Sequence, residues 1–193
     1  MLAEFYLAHR RSFDLDLFTP EPGLVLPFSR TFEALIPGLL PPETNLSVIR
    51  RFESFVEFEM VSAEEGVRLQ LALDSPFRLH PPEETDYGVH VNDFEDLIVD
   101  KMLAYFGSAE ARGAVDLFFI LQKVHFQDLL LRAHEKDPGF DNYWMAVALE
   151  KSAQLPDDIR RWPVSMIADI DAKELKSKFS QLVRQLLDRI RSG

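Results

Sequence analysis

The chain has 193 residues, enough for one core or for a core with a helical appendage, and 32 acidic against 21 basic residues give it a net charge of -11. It contains no cysteine, which removes disulfides, thiolate metal sites and cysteine nucleophiles together and fits a reducing compartment. No apolar run approaches the ~20 residues of a membrane span, and the N-terminus carries acid and base too early for a signal peptide, so a cytoplasmic protein without a membrane partner is expected.

In chain order, residues 2–9 predict a helix with Leu2, Phe5, Tyr6 and His9 on one side. Residues 12–18 predict a strand, 19–23 a turn, and 28–36 a helix packing Phe28, Phe32, Leu35 and Ile36, which the prolines of 37–42 end. From 47 to 62 the pattern is extended, with Val56, Phe58 and Met60 on one face and Glu57 and Glu59 on the other. A turn at Glu64-Glu65-Gly66 leads to a strand over 67–74, where Val67, Leu69, Leu71 and Leu73 alternate with Arg68, Gln70, Ala72 and Asp74; the two runs form a hairpin with one buried face. Helices follow at about 92–106, capped by Asn92 or Asp93, then at 109–122, 126–135, 142–154 and 172–190, the last with a stripe of Leu175, Phe179, Leu182, Val183, Leu186 and Ile190. Strands first and helices afterwards give an α+β architecture. There is no internal repeat.

Three features of this pattern carry chemistry. Asp14 and Asp16 alternate within the strand and project from one face, two oxygen ligands suited to a hard cation, beside the bases His9, Arg10 and Arg11; a half-buried strand with an acidic polar face has the same pattern. Lys101 falls in the middle of the stripe formed by Phe94, Leu97, Ile98 and Tyr105, and Asp116 is the one acid in the apolar run 114–121. A contact between the two satisfies both, and so does an Arg112–Asp116 pair with Lys101 reaching to water. An acidic chain meets nucleic acid only through a local patch, and basic residues cluster at 9–11, at Arg50 and Arg51, and at Lys173, Lys176, Lys178, Arg184, Arg189 and Arg191, where a solvated helix face is the plainer reading. An acidic surface also suits a basic protein partner.

The string YLAHRRSFDLDLF resembles the helix-to-strand signature of the AbiEii family, the nucleotidyltransferase-like toxins of abortive-infection, type IV toxin–antitoxin systems, in which His-Arg-x-Ser leads into a strand with Asp-x-Asp. The block FEDLIVDKMLAYFGSAEARGAVDLFFIL resembles the family's two later motifs, a helix with a lysine and a helix with an aspartate, which map to Lys101 and Asp116. The resemblance implies a nucleotidyltransferase-like mixed sheet over residues 1–91 and a helical domain over 92–193. It implies Mg2+-dependent transfer of a nucleotide from an NTP to an RNA acceptor such as tRNA, opposed by a cognate antitoxin. Asp14 and Asp16 are then the metal ligands and, with Lys101 and Asp116, the catalytic set, and Asp14 and Asp16 are expected to face the same cavity as Lys101. Arg10 and Lys101 hold phosphate oxygens, Ser12 supports the turn or the phosphates, and Asp116 orients Lys101 or the nucleotide. His9 is expected to act as a helix-end cap.

Two departures from the family's pattern lower the expected activity. The Gly-Gly-Ser/Thr motif belongs just before the first helix, and this chain begins at Met1 within or after that point. The third carboxylate falls on Gln70, with Glu57 or Glu59 on the neighbouring strand as substitutes. The alternative is therefore a catalytically degenerate protein of the same fold that binds a nucleotide or a protein partner.

Overall fold

The computed structural model describes residues 6–63, 65–86 and 88–192, and the chain divides into two compact units: residues 12–77, and residues up to 11 together with 78 onward. The first unit runs β1 (Asp14–Thr19), α1 (Val25–Leu35), β2 (Asn45–Arg51), β3 (Phe55–Val61) and β4 (Gly66–Leu73). Its sheet has the order β1-β4-β3-β2, with β1 parallel to β4 and the other pairs antiparallel. The period-2 alternation of β3 and β4 sends Val56, Phe58, Leu69 and Leu71 to one face, where they bury against Val25 of α1, and Phe32 sets its ring 5.1 Å from that of Phe58. A one-residue slip would carry this apolar set to the opposite face, so burial fixes the register.

Local chemistry sets the boundaries. The turn after β1 uses Gly23 at φ 81°, a left-handed conformation that a side chain would strain. Helix α1 starts at Val25, three residues ahead of the predicted start, because Pro27 lies in the first turn, where its missing N–H costs nothing. The single extended run predicted over 47–62 is two strands, closed by a hydrogen bond from the Phe52 N–H to the Phe55 carbonyl at 2.7 Å. That turn has no glycine, proline or asparagine to mark it.

The second unit holds α2 (Phe94–Ser108), α3 (Ala111–Ile120), α4 (Phe126–Lys136), α5 (Asn142–Glu150) and α6 (Ala172–Ser192), with a two-residue ladder of β5 (Glu83–Glu84) and β6 (His90–Val91). Asp93 caps α2 by accepting the Glu95 N–H at 2.7 Å, and Asp141 caps α5 by accepting the Trp144 N–H at 3.0 Å. The helix predicted over 142–154 changes to a 3-10 turn at Lys151. Fully buried side chains from all five helices, among them Met102, Leu117, Leu129, Met145, Leu175 and Phe179, form one core. The Tyr105 hydroxyl donates to the Ala148 carbonyl at 2.9 Å, and burial pushes its pKa up.

Residues 78–91 belong with these helices, so the division expected at 91/92 falls inside this unit. The fully buried Asp96 is the reason: it accepts the backbone N–H groups of Leu79 at 3.1 Å and His80 at 2.9 Å, and Lys136 Nζ at 2.5 Å. Burial alone would raise the pKa of Asp96, but Lys136 and the two amides hold it below the usual carboxylate range.

Residues 2–5 of the predicted first helix lie outside the described residues. Within 6–9 the chain leaves helical geometry at Ala8, which has φ 49°, and becomes an extended strap. His9 accepts at its carbonyl from the Ile167 and Ala168 N–H groups at 2.9 and 3.0 Å, Arg10 pairs with Met166, and the Arg11 N–H donates to the Ser165 carbonyl at 2.8 Å.

Gly113 marks a close approach of α3 to α2, since a Cβ there would lie 3.0 Å from Tyr105 Cδ2 and 3.3 Å from Tyr105 Cβ. Tyr105 is fully buried and hydrogen-bonded, so it has no room to yield. Alanine is the better helix former by about 1 kcal/mol, whereas overpacking costs about 1–3 kcal/mol. Gly113→Ala should therefore lower stability, by up to about 2 kcal/mol, in urea unfolding; a more stable variant would show that the helices can part at this point.

Candidate active site

The polar face of the sheet is a grid fixed by strand register. Asp14 lies opposite Arg68 and Asp16 opposite Gln70 across the β1–β4 ladder; Arg68 and Gln70 in turn face Glu59 and Glu57 of β3, and Glu57 faces Arg50 of β2. One row therefore reads Asp14, Arg68, Glu59, and the next Asp16, Gln70, Glu57, Arg50. Asp14 is half-buried and Asp16 exposed, about 6.6 Å apart along the strand. The Ser12 hydroxyl donates to the Asp14 carbonyl at 3.4 Å, at the entry to β1.

Glu57 is buried, at 5% exposure, with Arg50 Nε 3.4 Å from one carboxylate oxygen and Arg68 Nε 4.0 Å from the other. It is thus engaged by two guanidinium groups and two strands away from Asp16, while the neutral Gln70 is the immediate neighbour of Asp16. Sequence reasoning passed over Arg50 and Arg68 as partners of Glu57. The alternation of β4 put Arg68 in phase with Gln70, but nothing in one sequence sets the register of β1 against a strand some fifty residues later.

In the other unit, Asp116 on α3 is the centre of a buried cluster. Arg10 forks onto it, Nε to Oδ1 at 2.6 Å and an NH2 nitrogen to Oδ2 at 2.7 Å, and His9 Nε2 lies 2.7 Å from Oδ1. Exposures of 0% for His9, 3% for Arg10 and 2% for Asp116 place the cluster out of bulk solvent. The hydrogen bond to a carboxylate assigns the proton to His9 Nε2, and the ring packs on Phe119 at 4.7 Å. His9 therefore ties the 9–11 strap to α3, in place of the helix-end cap expected of it. Arg10, expected to hold phosphate oxygens, has its fork on Asp116 and a third bond from NH1 to the Arg11 carbonyl at 3.1 Å. The half-buried Lys101 acts on Asp116 through its charge.

Burial pushes the Asp116 carboxyl up, but the hydrogen bonds from Arg10 and His9 and the charges of Arg10 and Lys101 outweigh it and hold the pKa at about 2. A carboxyl depressed in the folded state contributes stability that is complete above its unfolded pKa and lost as pH falls through the folded one. The chain should accordingly lose on the order of 2 kcal/mol between about pH 4 and pH 2 through this group. An Asp116→Asn variant, already weakened at neutral pH, should lack that increment of acid sensitivity; identical acid slopes in urea unfolding would contradict the assignment.

His80, Asp93 and Glu95 also bring donor atoms within 4.8 Å of one another. Glu95 is paired with His80 at 2.6 Å and with Arg132 at 2.7 Å, and Asp93 caps α2, so the group is already satisfied without a metal. The hydrogen bond to Glu95 raises the pKa of His80 and lowers that of Glu95.

No family model matches the chain, and no curated protein does. Two solved structures share its fold. MenT4, a nucleotidyltransferase toxin from Mycobacterium tuberculosis, superposes with a TM-score of 0.62 at 18% identity over 97% of this chain and 73% of its own. A protein from H. pylori assigned as a nucleotidyltransferase superposes with a TM-score of 0.57 at 15% identity over 99% of this chain and 84% of its own. The chain therefore has a nucleotidyltransferase fold of the α+β class. Among the described residues no helix is long and apolar enough to cross a membrane.

Proposed function

We propose that the chain is a nucleotidyltransferase of the AbiEii toxin type, which transfers a nucleotide from an NTP to an RNA acceptor such as tRNA and is opposed by a cognate antitoxin. The observation that carries this reading is the pair Asp14 and Asp16, in phase on the polar face of β1 in a sheet of nucleotidyltransferase fold. Two hard oxygen donors on one face fit Mg2+, which tolerates two carboxylates with water and phosphate oxygens around it. When bound, the ion supplies charge neutralisation to the phosphates. In the transfer, the acceptor hydroxyl oxygen bonds to the α-phosphorus, the bond to the β-phosphate oxygen breaks, pyrophosphate leaves and the hydroxyl proton passes to solvent.

Asp14 and Asp16 are the metal ligands in this reading, Lys101 contributes a cation to the phosphates, and Ser12 supports the entry to β1. Asp116 and Arg10, which bond to each other, serve as positioning residues for the 9–11 strap. The second reading, a degenerate protein that only binds a nucleotide or partner, is favoured by Gln70, neutral and in register with Asp16. Calorimetric titration with each NTP, with and without magnesium, tests the first reading. Metal-dependent binding abolished by Asp14→Asn is the expected result; binding that ignores both metal and Asp14 would leave the second.

A further inference from the structure

We propose that Arg50 and Arg68, set on the buried Glu57, form an anion site on the polar face of the sheet that takes the triphosphate of the metal-bound nucleotide. This rests on the nucleotidyl-transfer reading for the identity of the anion. Glu57 is a carboxylate at 5% exposure in the middle of a sheet, an expensive place for a charge unless it is held by partners. Its partners are two guanidinium groups whose side chains are 64% and 59% exposed. The contacts, 3.4 and 4.0 Å at Nε, are ion pairs rather than hydrogen bonds; they hold both guanidinium groups near Glu57 and leave most of their N–H donors to solvent. A buried acid that gathers two exposed guanidinium groups on one face gives a pair of cationic donors suited to phosphate oxygens.

The location identifies the ligand. Arg68 lies directly opposite Asp14, and Glu57 lies two strands from Asp16 in the same row, about 10 Å away at ordinary strand spacing. A metal complex seated on Asp14 and Asp16 thus has its remaining phosphates within reach of Arg68 and then Arg50, along the rows of the grid. Glu59, opposite Arg68, adds a negative charge to this face, so the site should favour the magnesium complex over a bare polyanion. Arg10 cannot serve in their place, because withdrawing its fork would strand Asp116 as a buried charge.

Calorimetry with magnesium tripolyphosphate, magnesium NTP and the nucleoside alone tests the proposal on four chains: the unaltered protein, Arg68→Lys, Arg50→Gln with Arg68→Gln, and that pair combined with Glu57→Gln. The last leaves no buried carboxylate without a partner, and Arg68→Lys keeps its counter-charge, so both should fold. Both polyphosphates are expected to bind at least tenfold more weakly to the double and triple variants and severalfold more weakly to Arg68→Lys, with nucleoside binding unchanged. Undiminished NTP affinity in the folded triple variant overturns the anion site and leaves nucleotidyl transfer standing. Arginine-dependent binding of tripolyphosphate, with no label from α-labelled NTPs entering tRNA in a parallel incubation, keeps the anion site and removes the transfer reading. No polyphosphate binding by the unaltered protein overturns the site outright.

Discussion

An Asp116→Ala chain should unfold with about 3–5 kcal/mol less free energy than the unaltered protein, the cost of breaking a buried ion pair from one side. The substitution removes both acceptor oxygens of the Arg10 fork and the partner of His9 Nε2, and Arg10, at 3% exposure, is cut off from bulk solvent. The backbone of the same strap is fastened to residues 165–168, so the damage should extend to the protection of the His9 and Arg10 segment against hydrogen exchange. Replacing both sides of the pair, Asp116→Leu with Arg10→Met, should recover part of the loss, because two apolar side chains of similar volume leave no charge behind. A single-variant loss below about 1 kcal/mol would show that Arg10 finds other partners.

The second large effect is on chemistry. Asp14→Asn or Asp16→Asn should lower nucleotide transfer at least a hundredfold, since each removes a charged ligand from the metal that neutralises the reacting phosphates, and one lost preorganised contact of this kind is worth about 10²–10³ in rate. Folding should be spared, above all for Asp16, which is exposed and opposite the neutral Gln70. Equal activity in Asp16→Asn would move the metal elsewhere and with it the role of β1.

The two predictions separate what the amino-acid pattern discloses from what it cannot. Alternation in β3 and β4 announced the faces of Glu57, Gln70 and Arg68, and the apolar run around Asp116 announced a buried acid, because burial writes itself into sequence period. The partner of that acid was not legible. Arg112 was a candidate by helix spacing and Lys101 by its place on an apolar stripe, whereas the structure supplies His9 and Arg10 from more than a hundred residues away, a pairing that depends on how the strap crosses the helices. The β2–β3 turn at Glu53-Ser54 escaped notice for a local reason, the lack of glycine, proline or asparagine, and Ala8 adopts a left-handed conformation inside the segment predicted helical, where composition gave no warning. Register across strands distant in sequence hid the Arg68 to Asp14 neighbourhood in the same way.

The most direct test of nucleotidyl transfer is incubation of the chain with magnesium, α-labelled NTPs and bulk tRNA, following label in RNA and pyrophosphate in solution together. The reading predicts both signals in equal amounts, dependent on magnesium and absent from the Asp14→Asn chain. Labelled RNA or pyrophosphate that persists unchanged in Asp14→Asn, or neither product from the unaltered protein with any of the four NTPs, would contradict it.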